Sequence, residues 1–301
     1  MPISALYDLP APAKLNLYLH VIGRRADGYH LLESVFTLID WADTLHLEAR
    51  SDRRLLRHDL GTPLPADDLC LKAARALQAE SGCTLGADIS IAKQVPWGAG
   101  LGGGSSDAAT VLIGLNRLWG LRWPRERLLA LGARLGADVP FFIGGRTAFV
   151  EGIGERLTPV ALTPQHYAVV KPAAAISTAA IFSSPLMTRD SQTAIVAGFL
   201  ADAEALVRSE GIESKRLAAF PGRNDLQRAA EALCPEVAEV GRWLQARFGN
   251  SRMTGSGSAV YARAGAGERP VATMLEGEWP EGWVGRMCRS LEEHPLAGWP
   301  G

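Results

Sequence analysis

The sequence predicts an α+β fold. Three observations carry that prediction. Residues Lys14 to Val21 alternate in the manner of a strand, and several later stretches space their apolar residues as helices do. Helices and strands also mix without the strict strand–helix–strand alternation of a doubly wound sheet. A length of 301 residues suits two domains. The turn-forming pairs Thr158-Pro159 and Thr163-Pro164 place the expected boundary there, dividing residues 1–160 from 161–301.

In the opening strand Leu15, Leu17, Leu19 and Val21 share one face, expected to meet the core. Lys14, Asn16, Tyr18 and His20 share the other, where a lysine is ordinarily solvated. Gly23 to Gly28 reads as a loop, with Tyr29-His30 just beyond it. Arg53 to His58 reads as a solvated hairpin edge. Asp67 or Asp68 caps a predicted helix through Leu69, Ala73 and Leu77 that stops at Gly82. Ile89 and Ile91 mark a strand reaching Val95. Helices follow from Ala108 to Gly120 and from Pro124 to Gly136. Later, Ile195, Phe199, Ala203 and Leu206 mark one helix, and Asn224 with Gln227 resembles a capping pair for another. Val237, Val240, Leu244 and Phe248 mark a third, closed by Gly249. Short strands are expected at Tyr167–Val170, Ala259–Ala262 and Trp283–Met287.

Composition narrows the function. With 31 Lys+Arg against 32 Asp+Glu, bulk positive charge cannot drive nucleic-acid binding. At 47% hydrophobic and 21% charged, the chain can build a sizeable core, which excludes disorder as its main state. No apolar run approaches the roughly 20 residues of a membrane helix, and the first residues lack a secretion signal, so a cytoplasmic location is expected. The four cysteines are scattered, with no metal or redox pairing. No Gly-x-Ser-x-Gly elbow or His-Glu-x-x-His motif occurs, and His46, His58, His166 and His294 form no constellation.

The segment Pro96-Trp97-Gly98-Ala99-Gly100-Leu101-Gly102-Gly103-Gly104-Ser105-Ser106-Asp107 lies between a strand and a helix. Glycines let the backbone approach a ligand and turn successive N–H groups into one concavity. The helix start adds partial positive charge, and Ser105 and Ser106 add hydroxyls. These features suit a di- or triphosphate. Without Gly-Lys-Ser/Thr this is not a Walker-type loop, and the acidic residue wanted after a dinucleotide loop is replaced by Trp123.

This loop resembles that of the small-molecule kinases that include galactokinase, homoserine kinase and mevalonate kinase. Within that superfamily, Ala11–Leu19 (APAKLNLYL), Arg25–His30 (RADGYH) and Leu135–Phe142 (LGADVPFF) resemble the family that phosphorylates 4-diphosphocytidyl-2-C-methyl-D-erythritol. Met253–Val260 (MTGSGSAV) fits that family's second glycine loop. The resemblance implies two α+β domains with the active site in the cleft between them. It implies transfer of phosphate from ATP to the substrate's 2-hydroxyl, in the non-mevalonate route to isoprenoids, with Mg²⁺ carried on the nucleotide. Lys14 and Asp138 would carry the chemistry, the carboxylate accepting the hydroxyl proton and the ammonium stabilising developing charge. Tyr29 and Phe182 would stack on the cytosine, with His30 at its edge. Asn16 and Thr178 would face the methylerythritol part. Lys93 and Asp68 match positions near adenine, but the family commonly has Asn at the latter, so Asp68 is left between adenine contact and helix cap. The Gly255–Gly257 loop is either a simple turn or a wall of the cleft. Two other readings stay open: a sister kinase for another small alcohol, and a catalytically silent nucleotide-binding module.

Overall fold

The computed structural model describes residues 3–66, 68–191, 198–199, 201 and 220–300. Two long strands, β1 (Ala5–Arg24) and β2 (His30–Arg50), form an antiparallel ribbon that organises the molecule. Then come β3 (Leu55–Asp59), α1 (Leu69–Ser81), β4 (Gly86–Ala92), α2 (Gly103–Leu118), α3 (Arg125–Leu135) and α4 (Val139–Gly144). The second half holds β5 (Ala148–Gly152), β6 (Arg156–Pro159), β7 (Gln165–Lys171), α5 (Thr178–Ser183), α6 (Gln227–Leu233), α7 (Pro235–Phe248), β8 (Arg252–Met253), β9 (Val260–Ala266) and β10 (Val284–Leu291).

The sheet order β3-β4-β2-β10-β7-β9-β8 joins the two halves through β10, which pairs with β7 and, at Ser290↔Ile39, with β2. Helices α1 to α4 pack their apolar faces on β2 and β4 around Leu45, Leu47, Ile89 and Leu112. Helices α6 and α7 cover β7 and β9 around Val170, Val240 and Leu244. Between them Leu15, Leu17, Val35, Tyr167 and Tyr261 form a middle core. The predicted mixed class holds, and the glycine-stopped helices end at Gly82, Gly136 and Gly249 as expected.

Several expectations are corrected. The first strand starts at Ala5, and both its faces are buried, because its polar side is covered by the glycine loops and by Phe199 and Phe220. The segment after Arg53 forms β3, a parallel partner of β4 and not a hairpin, and its Arg57 is buried against Asp59 and Asp68. The strand predicted to reach Val95 ends at Ala92. Asn224 does not cap with Gln227. Its Oδ1 accepts from Leu226 N, and its amide donates to Met253 O and Gly255 O. Of the helix predicted around Phe199, Ile195, Ala203 and Leu206 lie outside the described residues, as does Asp67. Among the described residues no helix is long and apolar enough to cross a membrane.

The C-terminal residues return to the end of α4. Arg125 donates to Ile143 O at 2.6 Å and to Ala297 O, and His294 N donates to Gly145 O at 2.7 Å. Burial first, and then Arg125, pull His294 down to about 4. Its neutral form is the one that folds, so the unfolded state takes up a proton first as pH falls below about 6.5. Stability from this residue is therefore full above that pH and is lost as pH falls toward about 4. Between pH 7 and 4.5 the melting temperature of His294→Asn, whose Oδ1 replaces Nδ1 as acceptor for Leu296 N, is expected to fall less than that of the parent. Equal slopes in thermal melts would remove His294 from the acid response.

Candidate active site

β1 is irregular where it matters. Its pairing with β2 shifts register between Pro12 and Lys14 and again between Asn16 and Leu19. Such bulges re-aim side chains, and here they flank Lys14 and Asn16. Lys14 Nζ sits 2.5 Å from Asn16 Oδ1, 3.7 Å from Asp138 Oδ2 and 4.5 Å from the Phe36 ring centre. The lysine side chain is 4% exposed and the aspartate 32%. An expected solvated lysine is thus a buried one, and burial lowers its pKa while Asp138 pulls the other way. Asp138 precedes α4, yet among the described residues its side chain makes no capping hydrogen bond; it is turned to the lysine instead.

The glycine loop runs along the same strand. Lys14 N donates to Leu101 O at 3.0 Å. Gly98, Gly100 and Gly102 all take positive φ. Helix α2 starts inside the loop at Gly103, earlier than expected, and its first N–H groups point outward as at any helix start. Ser106 is fully buried, and its hydroxyl donates to Pro12 O at 2.7 Å. Ser105 is half-buried at the start of the helix. Trp97 is 73% exposed on the outer face of the loop, beside Pro96.

The second glycine loop lies against the first, backbone to backbone. Ala259 N donates to Ala99 O and Ser258 N to Gly98 O. A Cβ on Gly100 would stand 2.4 Å from Thr254 O and 3.0 Å from Gly257 N. At φ +73°, Gly100→Ala is expected to cost more than about 2 kcal/mol and to weaken ATP binding. A Cβ on Gly104 meets nothing within 4 Å. Gly104→Ala should therefore stabilise α2 by up to about 1 kcal/mol and, if the loop holds ATP, raise KM for ATP. Denaturant titration and ATP saturation curves check both; a destabilised Gly104→Ala contradicts this account.

One cavity of about 300 Å³ gathers Lys14, Asn16, Asp138, Gly98, Gly100, Gly102, Thr178, Phe182 and Gly255–Gly257. A roomier one, about 640 Å³, opens on Arg146, Thr163 and Glu293 and holds none of the motif residues. Thr178 Oγ1 and Ser256 Oγ share a hydrogen bond of 2.8 Å across the first cavity. His30 stacks on Phe182 with centroids 5.0 Å apart and planes at 25°, while Tyr29 is 61% exposed beside them. His30 Nε2 is buried without a hydrogen-bond partner among the described residues. Residues 68–146 match the GHMP kinases N terminal domain, and residues 202–272 match the family described as GHMP kinases C terminal. A 4-diphosphocytidyl-2-C-methyl-D-erythritol kinase of Methylibium petroleiphilum is 62% identical over 302 residues, covering 100% of both chains. The chain belongs to this kinase family.

The kinase of the same name from Variovorax paradoxus is 54% identical over 99% of each chain. A crystal structure of 4-(cytidine 5'-diphospho)-2C-methyl-D-erythritol kinase superposes with a TM-score of 0.70 at 37% identity, over 85% of this chain and 90% of that one. A homoserine kinase from Cytophaga hutchinsonii shares the fold, with a TM-score of 0.67 at 16% identity over 97% and 96% of the two chains. The kinase thus uses ATP as phosphoryl donor to a small molecule.

Not every predicted site residue of the kinase lines the cavity. Lys93 does not; its ammonium is bound to Asp43 and Asp107. Asp68 caps α1, its Oδ1 accepting from Leu71 N at 3.0 Å, and pairs with Arg57. Sequence reasoning missed Thr254, whose hydroxyl meets Asn16 N at 2.9 Å, and Ser34, which accepts from Asn16 Nδ2 at 3.1 Å. Both hold Asn16 beside Lys14. Thr254 stood inside a quoted motif; Ser34 carried no signal, since the register of β2 brings it there.

Proposed function

We propose that this chain transfers the γ-phosphoryl group of ATP to the 2-hydroxyl of 4-diphosphocytidyl-2-C-methyl-D-erythritol, a cytoplasmic step of the non-mevalonate route to isoprenoid precursors. The observation that carries this reading is the Lys14–Asp138 pair. It stands in one cavity with the glycine loop on one side and the Phe182 face on the other. Asp138 accepts the proton of the 2-hydroxyl as its oxygen bonds to the γ-phosphorus and the bond to the ADP oxygen breaks. Lys14 offsets negative charge on the transferring group, and Asn16 orients the ammonium. Residues 1–160 carry the nucleotide loop and this pair, and residues 161–301 close the substrate side as a second domain. Gly98 to Ser105 cradle the phosphates, the hydroxyl of Ser106 serving the fold instead. Tyr29 and Phe182 stack on the cytosine with His30 at its edge, and Asn16 and Thr178 face the methylerythritol part.

The donor set fits Mg²⁺ carried on the nucleotide. Among the described residues no three His, Cys, Asp or Glu side chains stand together, and Asp138, the carboxylate lining the cavity, is taken by Lys14. Carried in with the nucleotide, Mg²⁺ would supply charge neutralisation.

The decisive measurement is ADP release with the cytidylyl alcohol, run beside homoserine and mevalonate. Turnover with the first alone is expected, together with a rise in melting temperature with cytidine diphosphate that Phe182→Ala abolishes. Turnover with another alcohol, or indifference to cytidine diphosphate, would assign the chain to a sister activity. Bound ATP with no ADP from any of them would mark a silent module.

A further inference from the structure

A buried cluster of three charges lies under the glycine loop and outside the cavity. Asp43, on β2, is fully buried. Its Oδ1 accepts from Gln94 N at 2.6 Å and Val95 N at 2.8 Å, the two residues that lead into the loop. Its Oδ2 accepts from Lys93 Nζ, and the same ammonium donates to Asp107 Oδ2 at 2.6 Å, in the second turn of α2. The lysine side chain is 15% exposed. A Cβ on Gly103 would stand 3.4 Å from Lys93 Nζ and 3.5 Å from Asp43 Oδ2, so the cluster presses directly on the turn where loop becomes helix.

We propose that Lys93 is a positioning residue: bridging Asp43 and Asp107, it clasps both ends of the glycine loop and holds its phosphate-binding shape before nucleotide arrives. The loop between the clasped ends spans Pro96 to Ser106, five of its residues glycine. Such a backbone loses much conformational freedom when ordered. An ordering paid inside the free protein does not weaken nucleotide binding. Among the described residues Lys93 is the partner common to the two carboxylates, and it stabilises both by charge-assisted hydrogen bonds. Burial raises the Asp107 carboxyl above the usual range, with Lys93 opposing and Asp43 adding to the rise. Removing the cation therefore leaves two buried acids face to face, and their repulsion spreads the loop's ends.

The proposal rests on the glycine loop being the ATP loop, and its test separates the two. Amide hydrogen exchange across residues 94–107 is measured without and with ATP for the parent, Lys93→Met, and Lys93→Met/Asp107→Asn, which relieves the repulsion. ATP protection of these amides in the parent tests the loop assignment by itself. For the clasp, Lys93→Met without nucleotide should exchange at least about tenfold faster there. Its KM for ATP should rise by about tenfold while kcat stays within about threefold. The double variant should recover part of both. Unchanged exchange in the nucleotide-free variant, with KM still raised, would make Lys93 a direct ATP contact and overturn the proposal. Unchanged KM would do the same, and so would global unfolding of both variants, which would assign the cluster to the core.

Discussion

Asp138→Asn is expected to lower kcat by at least about 10²-fold, with KM for ATP nearly unchanged. Asn keeps the size and hydrogen-bonding reach of the carboxylate but cannot take a proton from an alcohol. The residue precedes α4 without capping it, so the helix does not depend on the charge, and thermal stability should shift little. The proposed nucleotide loop would make its contacts from other residues, which is why the loss should appear in kcat. The same change removes the group that opposes the effect of burial on Lys14. Residual activity should therefore fade at a lower alkaline pH than in the parent. Steady-state rates from pH 6 to 10 measure both effects; a variant with parental kcat would displace Asp138 from proton transfer.

The fold was legible where one local signal decides the structure. Gly82, Gly136 and Gly249 end helices because a helix cannot easily continue through them, and Asp68 caps α1 because its carboxylate reaches Leu71 N. Of the site, the family resemblance pointed to Lys14 and Asp138, which stand 3.7 Å apart, while their surroundings left no signal. A lysine alternating with leucines reads as solvated; Lys14 is buried because the glycine loop, at Leu101 and Gly102, packs against its strand. Ser106 reads as a phosphate ligand from its place after three glycines, yet the helix turn points its hydroxyl at Pro12 O. Gly100 reads as room for a ligand, whereas the nearest atom to its missing side chain is the carbonyl of Thr254. Contacts such as these, made across more than eighty residues of chain, leave no periodicity behind.

Lys14→Met is the second large effect, and here activity and stability are expected to move in opposite directions. The side chains match in length, so the space between Phe36 and Asn16 stays filled. Burial lowers the Lys14 pKa, so keeping the ammonium charged there costs the fold stability, a cost that an apolar side chain avoids. Stability of the variant should therefore equal or exceed that of the parent, while kcat falls by about 10²- to 10³-fold through loss of charge at the transferring phosphoryl group. The sign of the pH response follows. Since the folded pKa lies below the unfolded one, the unfolded chain binds the extra proton at alkaline pH, and this group's contribution to stability rises as pH rises through the folded pKa. Activity falls over the same interval, as the ammonium loses its proton. In Lys14→Met both trends should vanish together. Denaturant titrations paired with rate measurements at each pH decide the matter: a variant that is inactive because it is unfolded would reduce Lys14 to a structural residue, and one that keeps its rate would leave the phosphoryl group to be stabilised elsewhere.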